Sequence, residues 1–133
     1  MAIGRFPNVT VPRIRAVVSY SGQSPLMQEL VGFPERLSWF DKPESTWSVI
    51  EELVGLPEWW VFDNGVLMIS HDTRQPEGWT YNMTWAFDED VQTPPTRLYG
   101  PIIFVGGNSL GDLLSLSIEQ IYDVLTWIDG GKP

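Results

Sequence analysis

The chain has 133 residues, of which 43% are hydrophobic and 19% charged, and this composition predicts one folded domain and excludes a disordered or low-complexity protein. Seventeen acidic residues against eight basic ones give a formal charge of −9, which argues against direct contact with nucleic acid or with an anionic membrane surface. The absence of cysteine excludes disulfides, thiol nucleophiles and thiolate metal sites.

Residues 1–13 bear prolines and lack the charged and apolar regions of a signal peptide, and we interpret them as an extended N-terminal arm. The remaining residues, 14–133, are assigned to a single domain. No stretch of the chain approaches the roughly 20 apolar residues of a membrane span, so we expect a soluble protein that is not secreted.

The first predicted element is a strand at 14–20, IRAVVSY, which is rich in β-branched residues and ends at Ser-Gly. An internal repeat follows, because QELVGFPE at 28–35 recurs as EELVGLPE at 51–58. In both copies an apolar turn precedes a glycine that can take a positive φ and then a proline, a pattern typical of helix C-termini. The repeat predicts two units of helix, glycine stop and strand, at 24–41 and 46–63.

The second half of the chain supplies the remaining strands. An Asn-Gly pair between two apolar runs predicts a hairpin at 59–70. The segment 79–87 has no unique pattern, since its aromatic and threonine content favours a strand and Asn82 favours a bend. Residues 97–107, RLYGPIIFVGG, predict one buried strand that is entered through Gly-Pro and closed by Gly-Gly.

Ser117 and Gln120 form a capping-box pattern that predicts the start of a final helix. Apolar residues then recur at helical spacing on one predicted face, which consists of Ile118, Ile121, Leu125 and Ile128. Together the elements predict an α+β fold, in which short helices pack mainly on one face of a mixed or antiparallel sheet.

Several motifs occur in a distinctive order: an ELVG helix, a hairpin such as FDNGVLMIS, an Asn-containing segment YNMTWAF, a strand LYGPIIFVGG and a helix that starts SLSIEQI. This order, over roughly 14–128, resembles a small domain family of phages and mobile elements that has no assigned function. The chain departs from the family in carrying two ELVG units and additional Trp and Pro at 71–79. The resemblance implies a phage or plasmid product that works in the bacterial cytosol, as an accessory or host-interaction protein.

No catalytic or metal-binding set of residues is complete in the sequence. His71, the only histidine, lies in a predicted loop, and we expect it to be a polar surface residue rather than a general base or a metal ligand. We therefore predict no catalytic residue, no metal and no cofactor.

A glycine-rich run, VGGNSLGD at 105–112, follows a predicted strand. Its backbone amides could cradle a phosphate, although the run lacks the lysine of a nucleotide-binding loop. A plain turn is the simpler interpretation. Phosphate or nucleotide binding is the alternative, and it would use Gly106, Gly107, Asn108 and Ser109.

The seven tryptophans exceed what a small core needs, and five of them lie between positions 47 and 85. Because neighbouring strand residues point to opposite faces, only one of the adjacent pair at 59–60 should face the core. The aromatic residues of 79–87 alternate, so as a strand they would share one face, in the core or at the surface. We predict a partner-binding aromatic face formed by Trp59, Trp60, Trp79, Tyr81 and Trp85.

These features lead to one principal hypothesis and two alternatives. The principal hypothesis is a non-enzymatic protein that docks an apolar, acid-rimmed face onto a host or phage protein, as an inhibitor or anti-defence factor. The first alternative is a protein that binds or sequesters a small nucleotide signal. The second is a structural component of a virion or assembly, with the arm at 1–13 packed against a neighbour.

Overall fold

The computed structural model describes residues 13–31, 46–62, 64–86, 95–107 and 113–130. Within them the chain forms eight strands and two helices. The strands are β1 (Arg13–Ser19), β2 (Leu26–Val31), β3 (Pro57–Val61), β4 (Val66–His71), β5 (Tyr81–Trp85), β6 (Thr96–Tyr99), β7 (Ile102–Gly107) and β8 (Leu113–Leu114). The helices are α1 (Thr46–Val54) and α2 (Ile118–Gly130). The predicted arm lies outside the described residues except for Arg13, which begins β1.

The main sheet has the strand order β2-β1-β7-β4-β3, with β8 paired to the end of β7, and every neighbouring pair is antiparallel. Strands β5 and β6 form a separate antiparallel pair. The prediction of antiparallel strands mixed with helices is therefore confirmed. Strands β4 and β7 are buried along almost their whole length, as expected for strands covered on both faces.

Two hydrophobic cores lie on opposite faces of the main sheet. Alternate residues of β4 divide between them, since Ile69 belongs to one core and Met68 to the other. The first core contains Ile50 and Val54 of α1, whereas the second contains Val124 of α2 together with residues of β5 and β6. The expectation that the helices pack mainly on one face is thus wrong, because each face has its own helix.

The first copy of the repeat corrects a second expectation, because its described part, residues 28–31, lies in strand β2 instead of a helix. A tight turn with Gly22 at φ +75° reverses the chain after β1, and the Gln23 N–H donates to the Tyr20 carbonyl at 3.1 Å. The returning segment then pairs with β1, with Leu30 opposite Ile14 in the first core. Burial against β1 prevails over the helix-stop pattern, whose glycine and proline lie outside the described residues.

The second copy behaves as predicted. Helix α1 ends at Val54, Gly55 follows with a φ of +76°, and its N–H donates to the Glu51 carbonyl at 2.8 Å. The chain then enters β3. The hairpin predicted at 59–70 is also confirmed as β3 and β4, with Gly65 in its turn at φ +77°.

The final helix starts at the predicted capping box. The Gln120 N–H donates to Ser117 Oγ at 3.1 Å, and the Ser117 N–H donates to Gln120 Oε1 at 2.9 Å. The buried face differs from the predicted one at its first position, because Ile118 is exposed and Val124 is fully buried. Ile121, Leu125 and Ile128 pack against the second core as expected.

The segment at 79–87, left open by its sequence, contains strand β5. The single strand predicted at 97–107 is two strands in different sheets, because Gly100 at φ +71° and Pro101 separate β6 from β7. A bulge in β5 at Asn82 turns the side chain amide toward the main sheet, where Nδ2 donates to the carbonyls of Ser19 and Gly100, both at 2.8 Å. Asn82 thus joins the two sheets.

Candidate functional site

Three chain segments meet at one end of the main sheet. Strand β4 ends there at His71, β3 begins opposite it at Pro57, and β7 begins just after Gly100. The loop at 72–80 crosses this end between β4 and β5. We call this region the sheet-end site.

His71 is buried at the sheet-end site, which corrects the expectation of a surface residue. Its Nδ1 lies 2.8 Å from the Val54 carbonyl oxygen, and its Nε2 lies 2.7 Å from the Gln75 carbonyl oxygen. Carbonyl oxygens only accept hydrogen bonds, so the neutral ring, which has one N–H, donates to one of the two and contacts the other. The ring therefore connects the end of α1 to the 72–80 loop and leaves neither nitrogen for a substrate or a metal.

Trp79 covers the His71 ring. The two rings are stacked, with centroids 4.3 Å apart and planes inclined by 21°. Two positive-φ glycines make room for the indole, since a Cβ on Gly55 would lie 2.6 Å from Trp79 Cζ2 and one on Gly100 would lie 2.7 Å from Trp79 Cε3. Trp79 is therefore fixed between the end of α1 and the β6–β7 connection.

The loop that carries Trp79 is held by two carboxylates. Asp72 accepts three hydrogen bonds from Arg74, from its backbone N–H, Nε and Nη2, at 2.9–3.0 Å. These bonds, led by those of the guanidinium, hold the pKa of Asp72 below its usual value and raise the pKa of Arg74. Glu58 Oε1 accepts from both the backbone N–H and the hydroxyl of Thr73, each at 2.9 Å.

An open cleft of about 480 Å³ lies beside the stacked rings. Its lining residues come from the end of α1, the end of β4 and the 72–80 loop, and they are Gly55, Leu56, His71, Gln75, Glu77 and Trp79. Of these residues, only Trp79 is predicted by the sequence to be a site residue. Gly55 was identified only as a helix stop. No local pattern marks Leu56, Gln75 or Glu77, because the cleft forms only where the end of α1, the end of β4 and the 72–80 loop come together.

The structure separates the five residues of the predicted aromatic face. Trp85 is fully buried, near the rings of Phe62 and Phe104, so it cannot contact a partner in this fold. Trp60 packs against the second core and is half-buried, as Trp79 is at the sheet-end site. Only Trp59 and Tyr81 are exposed, at 55% and 47%, and they lie in different sheets. The structure therefore does not bring the five together on one surface.

Trp59 has an exposed apolar neighbour on the same strand. Val61 is 72% exposed, and the two residues pair with Ile69 and Leu67 of β4, so their side chains lie on the face of the sheet that α1 covers. We call Trp59 and Val61 the edge patch, because β3 is the last strand of the main sheet within the described residues. The exposed residues Glu51 and Glu52 of α1 lie on this same face of the sheet.

The glycine-rich run has a structural use where it is described. The Gly107 N–H donates to the Gly65 carbonyl at 3.0 Å, and a Cβ on Gly106 would lie 2.9 Å from the Leu114 carbonyl oxygen. The Gly107 amide is therefore already bonded within the chain, and Gly106 permits the close approach of β8. Asn108 and Ser109 lie outside the described residues, so phosphate binding by the whole run stays a prediction.

Over the described residues, no helix has the length and apolar character needed to cross a bilayer, and no group of three or more His, Cys, Asp or Glu side chains is arranged to hold a metal ion. Comparison with known proteins gives no match: no family model, no curated protein and no solved structure is significantly similar to this chain.

Proposed function

We propose that the protein is a non-enzymatic interaction protein that binds a basic surface of another protein through the edge patch. The observation that carries the proposal is the 55% exposure of the Trp59 side chain beside Val61, which is 72% exposed, on a strand at the edge of the main sheet. Tryptophan is one of the residue types enriched among the energetic centres of protein interfaces.

The charge of the chain favours a basic partner. The formal charge is −9, and the exposed residues Glu51 and Glu52 belong to the helix on the same face as the edge patch. A partner with basic residues around an apolar contact would be attracted by this charge and oriented by it. Burying a side chain of this size contributes about 1.5–3 kcal/mol, which is enough for Trp59 to act as an anchor.

A role without catalysis is favoured by the contacts that the only histidine makes. Both ring nitrogens of His71 contact backbone carbonyl oxygens, whereas a general base needs a nitrogen within reach of its substrate. The nucleotide-binding alternative has less support, because the Gly107 N–H that it requires already donates a hydrogen bond to the Gly65 carbonyl oxygen. The resemblance to phage and mobile-element domains extends the proposal to a host protein as partner, with inhibition as the result.

The proposal is tested by affinity capture with purified wild-type chain and two double variants. Trp59→Ser with Val61→Thr removes the edge patch, whereas Ile118→Ser with Tyr122→Ser is the matched control, since these two α2 side chains are also exposed, at 65% and 68%. We expect the captured partner to be lost with the first variant, to be kept with the control, and to associate more slowly at high salt.

Circular dichroism should show that both double variants are folded. Equal capture by the two variants would contradict the edge patch as the binding surface. A partner whose association is insensitive to salt would contradict the basic-surface part of the proposal.

A further inference from the structure

The cleft at the sheet-end site is lined by a carboxylate that accepts no hydrogen bond from the described residues. Asp72 and Glu58 are bonded to Arg74 and Thr73, respectively. Glu77 also lines the cleft and is exposed, and no described residue donates a hydrogen bond to its carboxylate. Glu77 is thus the acidic group of this region that remains for a ligand.

The rest of the cleft is suited to the apolar stem of a cationic side chain. Leu56 is 53% exposed and Trp79 is half-buried, so both present apolar surface. His71 offers no hydrogen-bonding atom, because its two ring nitrogens contact carbonyl oxygens. A carboxylate in such a cleft attracts organic cations through charge-assisted hydrogen bonds.

The nearby basic groups do not occupy this role. The Arg74 guanidinium is bonded to Asp72, and both ring nitrogens of His71 contact backbone carbonyl oxygens. The cleft volume of about 480 Å³ is also sufficient for one long side chain that enters from solvent.

We propose that this cleft binds a guanidinium group, supplied by an arginine side chain of the partner protein. The proposal rests on the proposed function and deepens it, because Leu56 directly precedes β3, the strand that carries the edge patch. Arginine is favoured over lysine because its planar group can donate two parallel hydrogen bonds to one carboxylate.

The test is an NMR titration of the full chain with N-acetyl-arginine methylamide, followed at the Trp79 indole N–H and the amides of 72–80. The citrulline analogue is the matched probe, since it has nearly the same shape and no charge. The Glu77→Gln variant removes the carboxylate charge at an exposed position, and Glu119→Gln on α2 is its control.

We expect the arginine probe to bind the wild-type chain about tenfold more tightly than the citrulline probe does. We expect it to bind Glu77→Gln about tenfold more weakly than wild type, and Glu119→Gln as tightly as wild type. Equal binding of arginine and citrulline, or an unaffected Glu77→Gln, would overturn the site. Equal binding of the lysine analogue would overturn the assignment to guanidinium.

Partner capture separates this proposal from the edge patch. If Glu77→Gln captures the partner as well as wild type does, the cleft is not part of the interface and the proposed function still stands. If arginine binds the cleft as expected while the Trp59→Ser, Val61→Thr variant captures the partner normally, the edge patch fails and the cleft remains.

Discussion

His71 connects parts of the chain that are distant in sequence. One ring bonds to the last residue of α1, bonds to the 72–80 loop and stacks under Trp79. The carbonyl oxygens of Val54 and Gln75 both lie within hydrogen-bonding distance of this ring, so a replacement without an N–H removes the donor that the ring supplies.

His71→Phe tests this role. The phenyl ring can still stack with Trp79, but it has no N–H to donate to either carbonyl, so we expect the free energy of unfolding to fall by about 2 kcal/mol in urea denaturation. Gln75→Ala is the control, because it keeps the backbone carbonyl, and its effect should stay within about 0.5 kcal/mol. A His71→Phe protein as stable as wild type would show that these bonds contribute nothing.

Gly55 and Gly78 separate backbone strain from steric contact. Both have positive φ, at +76° and +85°, but a Cβ on Gly55 meets Trp79, whereas a Cβ on Gly78 has no atom within 4 Å. We expect Gly78→Ala to cost about 1 kcal/mol and Gly55→Ala about 3 kcal/mol in thermal or urea unfolding. If the Trp79→Ala background does not reduce the cost of Gly55→Ala, the indole is not the cause.

The pair of Asp72 and Arg74 predicts a pH dependence. Because the pKa of Asp72 is lower in the folded chain, the ionised carboxylate stabilises the fold above the unfolded pKa, and this contribution is lost as pH falls through the folded pKa. Arg74→Gln should therefore be less stable than wild type at neutral pH, and the two should converge in acid.

The measurement is urea unfolding of both proteins across the acidic range. Arg97→Gln is the control, since Arg97 lies over the Tyr81 ring at 6.0 Å and is not bonded to a carboxylate among the described residues. A difference between wild type and Arg74→Gln that does not change with pH would refute the role of Asp72.

Contacts between single side chains and distant segments are the hardest feature to predict from the sequence. The position of His71 in a polar stretch indicated a surface residue, because its acceptor in α1 lies 17 residues away and no local pattern reports it. The Ser117 and Gln120 pair was predicted correctly, because both partners of a capping box lie within one turn of a helix.

At the scale of elements, Asn82 joins β5 to the main sheet. Its amide donates to Ser19 at the end of β1 and to Gly100 before β7. The bulge that allows this explains why Tyr81 is exposed and Trp85 buried, although their spacing would place them on one face of a regular strand. The alternation in the sequence could not reveal that shift.

Asn82→Asp tests this connection with almost no change in shape. The carboxylate cannot donate, and it faces two carbonyl oxygens, so we expect a loss of about 3 kcal/mol in unfolding free energy at neutral pH. Thr80→Ala, a change at an exposed neighbour, should alter stability by less than about 0.5 kcal/mol. A neutral Asn82→Asp would mean that the two sheets are held together by apolar packing alone.

The main sheet separates two hydrophobic cores, and its central strands are covered on both faces. Among the described residues the second sheet has two strands, β5 and β6. Two-stranded sheets depend on packing against the rest of the protein. We therefore expect local unfolding to begin with the β5–β6 pair, before the main sheet unfolds.

Hydrogen exchange followed by NMR tests this order. Amides of β4 and β7, such as Ile69 and Ile103, should exchange only through global unfolding, whereas those of Met83 and Leu98 should exchange faster. Equal protection in the two sheets would show that they unfold as one cooperative unit.

The strands β1, β3, β4 and β7 and both helices follow from local patterns of alternation, turn residues and caps. Their arrangement does not, because the strand order and the placement of one helix on each face depend on contacts between distant segments. The apolar runs of β4 and β7 are typical of strands covered on both sides, and this signal was present in the sequence.

The repeat also bears on descent. The three letters Glu-Leu-Val occur at 29–31 in an extended backbone and at 52–54 in a helical one. If both copies arose from one ancestral segment, they kept the same residues but not the same backbone conformation. The conformation of each copy is then determined by the segments that pack against it. Exchanging the two octapeptides would then leave both backbones unchanged, and alignments of distant homologues that match secondary structure would place this segment wrongly.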